Sequence, residues 1–435
     1  MPEQPAPSIA DQLERRRRAS AAAWNLTNEV VVIGAGEPIP VPGRYDRTYP
    51  FRAHSEYLYL TDRERAGGVL TFDPQDGWVD FVVPVTQHEL LWAGAEAAEG
   101  SVPEGTVPTS GFQEWLEKRA GRRIACLGAP VAGVNSDPQL EEDLRYELDE
   151  VRRPKDEIEI SRMRTAAEAT SRGFAALASL LAAGRTEREL QIELECGFMR
   201  SGADALAFET IVASGANSAV LHFAPTQRRV GDGELVLVDA GGEFRGYASD
   251  VTRTYPASGE FADEQRFLYS LVRAAGVAAT ERCTAGTEWR EVHRTAALVI
   301  AEGLAEFGLL RGDAESLLEQ GAVTLFFPHG VGHMVGLGIR DASGVLRGRD
   351  TQEPGFPPLR VDLPLQPGYA MTVEPGVYFV PAILADAANH HRHRQTVDWD
   401  RVERMLDFGG IRIEDNVLVT HERCEILTAS VPVLN

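Results

Sequence analysis

Lysine is almost missing from this sequence. Of 43 basic residues only Lys118 and Lys155 are lysines. Neither stands in the Gly-Lys-Ser/Thr pattern of a phosphate-binding loop, which removes a Walker-type nucleotide site. Positive charge is scarce as a whole, because 65 acidic residues leave a net charge of −22. Phosphate contacts need a cationic face, so nucleic acid is a poor partner. Long apolar runs are absent: none approaches the ~20 residues that span a bilayer. Met1 to Ala23 lacks the apolar stretch of a secretory signal. The basic run Arg15 to Arg18, behind Glu14, reads as the solvated face of a helix. Cys126, Cys196, Cys283 and Cys424 form no CxxC pair. That excludes a thiolate zinc site and fits a reducing cytoplasm.

What is present is a globular composition, 43% hydrophobic and 25% charged, over 435 residues. That length exceeds one ordinary core and predicts two domains. The first part reads as α/β. A helix over Ile9 to Trp24 precedes a buried strand, Val30 to Ile33, and further strands follow at Gly68 to Phe72, Trp78 to Val83 and Ile124 to Leu127. Gly34-Ala35-Gly36 suggests a dinucleotide loop, but Pro38 and Pro40 forbid the helix that would hold the phosphates. A boundary falls near Val151 to Lys155, giving domains 1–153 and 154–435. Pro154 suits the first turn of a helix. Behind it Ile160, Met163, Ala167, Thr170, Phe174, Leu177 and Leu181 mark one apolar face, closed by Gly184. Thr186 and Glu189 form a capping box for the next helix. After Ala207 short strands and Gly-rich turns take over, so the second domain is α+β.

Four segments carry candidate chemistry. Leu235 to Val238 is an apolar strand ending in Asp239, and the chain returns through Tyr247 to Thr252 with Asp250 on the return. Such a hairpin can bring two carboxylates together, where they repel unless a proton or cation sits between them. Taken alone, an Asp pair at a turn is ordinary turn chemistry. Pro328-His329-Gly330-Val331-Gly332-His333 sets two histidines around glycines that would let backbone approach a ligand. In Thr372-Val373-Glu374-Pro375 the proline forces Glu374 into an extended conformation. In Gly410-Ile411-Arg412-Ile413-Glu414, Arg412 and Glu414 share one face and could simply pair. Together the segments read as an oxygen-rich ligand set with one imidazole, suited to dications such as Mn²⁺. Its carboxylates suffice to bridge two metals about 3.5–4 Å apart.

At these residues the sequence resembles the proline-specific pita-bread metallopeptidases, the family of Xaa-Pro dipeptidase (prolidase) and aminopeptidase P. The resemblance runs through Leu237–Thr254, Phe327–Gly338, Met371–Phe379 and Phe408–Thr420. It implies an α+β fold, with a creatinase-like N-terminal α/β domain (1–153) before a pita-bread catalytic domain (154–435). It implies two divalent ions, Mn²⁺ ahead of Zn²⁺ or Co²⁺, on Asp239, Asp250, His333, Glu374 and Glu414, with Asp250 and Glu414 bridging. Glu374 would also handle the proton of a metal-bridging hydroxide. His329 would steady the tetrahedral intermediate or shuttle protons. His222 would stand in the substrate pocket, and Arg412 would hold a ligand carboxylate. The expected partner is a proline-containing peptide, with no nucleic acid and no membrane, and the expected state is a cytoplasmic homodimer.

Two departures stand out. Phe208 replaces a tyrosine common in relatives, and Ile339-Arg340-Asp341 replaces Val-His-Asp, so a permanent cation enters the pocket. Both predict altered rate or substrate preference with the metal retained. Arg360 falls where prolidases carry the arginine that reads a substrate carboxylate, and the two ligand glutamates are 414 − 374 = 40 residues apart, as in prolidases. Gly308 to Asp313 and Leu427 to Ser430 resemble aminopeptidase P instead. The expectation is an Xaa-Pro dipeptidase, with Xaa-Pro aminopeptidase as the alternative. A metal-free pita-bread binding protein, or an amidinohydrolase of the creatinase type, would have no use for the five ligands that stand here.

Overall fold

The computed structural model describes residues 8–43, 47–94, 105–350 and 353–434. The first seven residues of the segment read as leaderless lie outside them. The chain divides into two compact units, Met1–Arg152 and Arg153–Asn435. No helix among the described residues is long and apolar enough to cross a membrane.

The first unit is built on β1 Val30–Gly34, β2 Val69–Asp73, β3 Gly77–Val82, β4 Val107–Pro108 and β5 Ile124–Gly128, in the order β4-β3-β2-β1-β5. Interior strand β1 pairs antiparallel with β2 and parallel with β5 and is buried along its whole length. A strand covered on both faces reads as a continuous apolar run rather than an alternation. The glycine turn after β1 serves this sheet: a side chain at Gly34 would collide with the Ala129 carbonyl, and the next helix among the described residues is Ser55–Thr61. The basic run is not a uniformly solvated face. Arg15 and Arg18 are exposed, but Arg16 is buried and donates to the Tyr59 carbonyl, while Arg17 donates to the Leu60 carbonyl and to Asp80. Their length lets them reach across to a neighbouring helix end, which local charge patterning cannot reveal.

In the second unit the long helix is Glu157–Leu180. Its cap is Asp156 in a capping box with Glu159, and Pro154 bridges instead to Tyr369, so proline does not open the helix as expected. Met163, Ala167, Thr170, Phe174 and Leu177 are buried along it. The Thr186–Glu189 capping box starts helix Glu187–Arg200. The strands that follow are β6 Ala205–Leu206, β7 Ile211–Ser214, β8 Leu235–Ala240, β9 Gly242–Phe244, β10 Tyr247–Ala248, β11 Val251–Pro256, β12 Ala370–Val373, β13 Gly376–Tyr378, β14 Gly410–Arg412, β15 Asp415–Val419 and β16 Cys424–Ile426. They form the sheets β11-β8-β7, β10-β9-β6, β12-β15-β16 and β13-β14.

Helices cover one side of these sheets. Val236, Val238 and Ala240 of β8 share a core with Phe174, Leu177 and Phe198. Met371, Val377 and Ile411 share another with Val272, Trp289 and Ile300 from helices Asp263–Arg282 and Trp289–Glu306. Because side chains alternate along a strand, Asp239 points away from the helix side, onto the face of Leu237. The polar residues of the site collect on that face.

Candidate metal centre and substrate cavity

Strand register sets the site. Asp239 on β8 is opposite Thr252 on β11, and Thr252 bridges in turn to Glu414. Three neighbouring backbones thus present Asp239, Thr252 and Glu414 side by side. Asp250, just before β11, is fixed by Asn416 of β15. Asn416 accepts from the Asp250 amide (2.9 Å) and donates to its carbonyl (2.8 Å). The histidine segment lies along β12. The Thr372 amide donates to the His333 carbonyl and the Glu374 amide to the Val331 carbonyl, both at 2.8 Å. Gly332 is needed for this contact, since a Cβ there would strike the Thr372 carbonyl. Gly332 therefore makes a close approach to β12, and Gly330 and Gly332 both line the cavity described below.

These elements bring the predicted carboxylates and imidazole together. Asp250, His333 and Glu414 each offer one ligand atom, all within 4.8 Å of one another, and all three residues are buried. Nε2 of His333 lies 3.4 Å from Asp250 and 3.8 Å from Glu374. Its Nδ1 is 3.0 Å from the Met334 carbonyl, so Nδ1 carries the proton and Nε2 faces the carboxylates. Asp239 stands just outside the tightest group. One of its oxygens accepts from Arg412 at 2.6 Å, while Oδ1 is buried with no hydrogen-bond partner. Arg412 does not pair with Glu414. Its guanidinium is divided among Asp239, the Thr252 hydroxyl (3.0 Å) and the Tyr378 hydroxyl (2.9 Å), and Thr252 donates to Glu414 at 2.7 Å.

The electrostatics are those of anions crowded out of water. Burial pushes Asp239 up to about 7 against the pull of Arg412, with Asp250 and Glu374 adding repulsion. Burial, then repulsion from Asp250, Glu374 and Asp239, raises Glu414 well above its ordinary value. Burial works against charge on His333, but Asp250 and Glu374 outweigh it and raise its pKa. An orphaned buried carboxylate oxygen beside a cluster that resists full ionisation is what a cation relieves. The donors, carboxylate oxygens plus one imidazole nitrogen, fit divalent ions.

The cluster opens into a cavity of about 760 Å³, lined among others by His222, His329, Arg340, Arg360 and Phe208. His222, Arg340 and Arg360 are exposed to it. His329 is 2.9 Å from the Tyr378 hydroxyl through Nε2 and 3.9 Å from Glu374 through Nδ1, and burial lowers its pKa so that it stays neutral. Arg340 is followed by Asp341, which forms a buried ion pair with Lys155 (3.1 Å) and accepts from the Leu337 amide. One of the two lysines therefore anchors the cavity loop, a role the sequence did not signal.

Sequence reasoning missed three supporting residues. Tyr378 connects Arg412 to His329. His293, on helix Trp289–Glu306, accepts from the Val331 amide at 3.2 Å behind the histidine loop, and burial drives its pKa down to about 3. The signal was a histidine on an otherwise apolar helical face. Glu187 is the third. Buried at the start of its helix, it accepts from the Ser214 amide and hydroxyl, the Asn217 amide and the Thr226 amide and hydroxyl, at 2.6–3.1 Å. Burial raises its pKa, but these bonds outweigh it and hold the carboxyl below its ordinary value. Glu187 thereby pins both ends of the segment that carries His222. Glu187→Ala is expected to cost about 3 kcal/mol of stability and to raise KM more than it lowers kcat. Chemical denaturation and steady-state kinetics check this, and an unchanged KM would remove the link to His222.

Residues 161–421 match the profile of metallopeptidase family M24, and residues 13–107 match that of the aminopeptidase P N-terminal domain. The chain is similar to a protein of Botryotinia fuckeliana named a probable Xaa-Pro aminopeptidase, 33% identical over 398 residues, 89% of this chain and 86% of the relative. A protein of the same designation from Paracoccidioides brasiliensis is 31% identical over 405 residues, 88% of this chain and 86% of that one. Among solved structures, Pseudomonas aeruginosa aminopeptidase PepP aligns with a TM-score of 0.76 at 29% identity, covering 97% of this chain and 96% of that one. Zinc-substituted Escherichia coli aminopeptidase P in complex with product aligns with a TM-score of 0.80 at 27% identity, covering 99% and 97%.

Proposed function

The chain belongs to metallopeptidase family M24, with an aminopeptidase P N-terminal domain ahead of its pita-bread domain, and on that premise we propose that it is an Xaa-Pro aminopeptidase. The relatives' names favour this over the dipeptidase expected from the sequence. The observation that carries the chemistry is the convergence of Asp250, His333 and Glu414 within 4.8 Å, beside the orphaned oxygen of Asp239. We assign catalysis to residues 154–435, with 1–153 as the creatinase-like domain.

In this reading Asp239, Asp250, His333, Glu374 and Glu414 hold two divalent ions, Mn²⁺ ahead of Zn²⁺ or Co²⁺. When bound, the ions supply Lewis acidity, lowering the pKa of water and polarising the scissile carbonyl. Glu374, at the edge of the cluster, takes the water's proton. Neutral His329, 3.9 Å away, relays it or steadies the developing oxyanion. Arg412 orients Asp239, and His222 frames the proline. Scattered free thiols support a cytoplasmic setting. A homodimer is carried over from the family resemblance.

A second reading, the dipeptidase, has its own support: Arg340 and Arg360 line the cavity, and either could bind a carboxylate directly after the proline. Hydrolysis of Xaa-Pro against Xaa-Pro-Yaa peptides with added Mn²⁺ separates the two. Tripeptides cut faster than dipeptides are the expected result. Cleavage restricted to dipeptides would hand the site to the second reading.

Proton linkage gives another expectation. Asp239 and Glu414 have folded pKa values above those of free carboxylates. The metal-free fold therefore binds protons that the unfolded chain releases. That contribution is complete below the ordinary carboxylate pKa of ~4 and is lost as pH rises through the raised values, about 7 for Asp239. Metal displaces these protons, so its affinity rises over the same window. The gap in Tm between Mn²⁺-loaded and chelator-treated protein should widen with pH. A gap that narrows would contradict the assignment of these carboxylates to metal.

A further inference from the structure

Of the two lysines among 43 basic residues, one, Lys155, has a fully buried side chain. Its ammonium lies 3.1 Å from Asp341 Oδ2 and donates to the Arg153 carbonyl at 3.0 Å. The same Asp341 oxygen accepts from the Leu337 amide at 3.0 Å. A Cβ at Gly336 would strike both Asp341 and the Lys155 stem, so the segment 336–341 is wrapped closely round this pair. Such a space suits a compact ammonium better than the broad fork of an arginine.

Lys155 is itself held in place. Its amide donates to the Gly368 carbonyl at 2.7 Å, and Pro154 bridges to Tyr369, just ahead of β12. Arg153, also fully buried, donates to the Ser343 and Val345 carbonyls on the far side of the turn. Ala342, between these anchors, has φ 49°, a left-handed conformation that a residue with a Cβ adopts at a cost. Ties on both sides of Ala342 therefore hold the chain in a shape it would not keep unaided.

The turn reaches the metal cluster through one carbonyl. Met334 O accepts from the Asp341 amide at 3.4 Å and from Nδ1 of His333 at 3.0 Å. A partner on Nδ1 sets the direction of the imidazole, and Nε2 then faces Asp250 and Glu374. β12 fixes the near end of the turn through the Met334–Met371 bridge, and Asp341 closes the far end. We propose that Lys155 is a positioning residue for the metal site. Acting through Asp341, it closes the turn 334–341, and the closed turn holds the Met334 carbonyl where it orients the His333 ring. The proposal rests on the metal reading above and adds a residue outside the ligand set.

The test is Mn²⁺ affinity, read by titration calorimetry on the chelator-treated full chain, beside the urea midpoint of each variant. Lys155→Met and Asp341→Asn each leave one buried charge alone, so each should lower the midpoint. Each should also weaken Mn²⁺ binding by about tenfold. The double variant Lys155→Met/Asp341→Asn has no lone charge and should regain most of the midpoint; it carries the test if a single variant fails to fold. Its Mn²⁺ affinity should stay about tenfold low, because no cation orients the side chain at position 341. Leu177→Ala, in a core that does not include Met334, sets the baseline. It should lower the midpoint and leave affinity within about twofold of wild type. Affinity that returns with the midpoint in the double variant, that Lys155→Met leaves unchanged, or that falls equally in Leu177→Ala overturns the positioning role and leaves the metal site standing. A wild-type chain that takes up no Mn²⁺ would sink the metal reading itself, and the proposal with it.

Discussion

Asp250→Ala is expected to leave a folded protein that has lost metal and has lost at least about a thousandfold in kcat/KM on an Xaa-Pro-Yaa substrate. Asp250 belongs to the tightest ligand group with His333 and Glu414, and its neighbours cannot replace it. Asp239 is engaged with Arg412, and Glu374 lies 3.8 Å from the His333 nitrogen. The fold should survive, because Asn416 holds the Asp250 backbone rather than its side chain. Removing a carboxylate from the crowded cluster also relieves part of the repulsion that raises Glu414, which favours the metal-free protein. Metal analysis beside kinetics checks the expectation. A variant that keeps two equivalents of metal and its activity would remove Asp250 from the ligand set.

Arg412→Leu should damage stability and metal affinity together. The arginine is buried and satisfies Asp239, Thr252 and Tyr378 at once. Its loss strands a carboxylate and takes one partner from each of two hydroxyls, which keep their bonds to Glu414 and His329, and breaking a buried pair from one side costs about 3–5 kcal/mol. A misoriented Asp239 should weaken metal binding by about 10- to 100-fold. Asp239 can take a proton when its cation is gone, so the stability loss should be larger above neutral pH than below it. Chelator-treated protein followed by denaturant titration at two pH values reads this directly. An equal loss at both would mean that Asp239 is not the group left exposed.

Much of the site was legible because a strand-borne acid in apolar surroundings is costly unless a cation or a proton meets it. Asp239 ends a four-residue apolar strand, and Glu374 is locked extended by Pro375. Local pattern also located the long helix, its apolar face and the Thr186–Glu189 cap. It misjudged the helix start, since Asp156 competes with Pro154 for the role and makes two backbone bonds that proline cannot. Partners remained hidden wherever a long side chain joins segments far apart in the chain. Arg412 to Asp239, Glu187 to Thr226 and Lys155 to Asp341 are pairings of tertiary geometry. Spacing places Arg412 beside Glu414, and only the packing of β14 near β8 shows it turned toward Asp239. The choice between dipeptidase and aminopeptidase, where the relatives' names favour the second, was hard to read for a related reason. Arg360 tips the sequence toward the dipeptidase, but a cavity-lining arginine can serve a carboxylate at more than one peptide length.

The Asp239–Thr252–Glu414 arrangement bears on how such an enzyme is policed. Its first and last acids are 414 − 239 = 175 residues apart and meet across Thr252, which is opposite Asp239 on β8 and bridges to Glu414. Contacts so distant form late and cooperatively during folding. A nicked or half-folded chain should therefore be silent rather than partly active. Proteolytic resistance and turnover ought to rise together during refolding, and the bound ion, by favouring only the finished fold, would act as a seal on an already assembled catalyst.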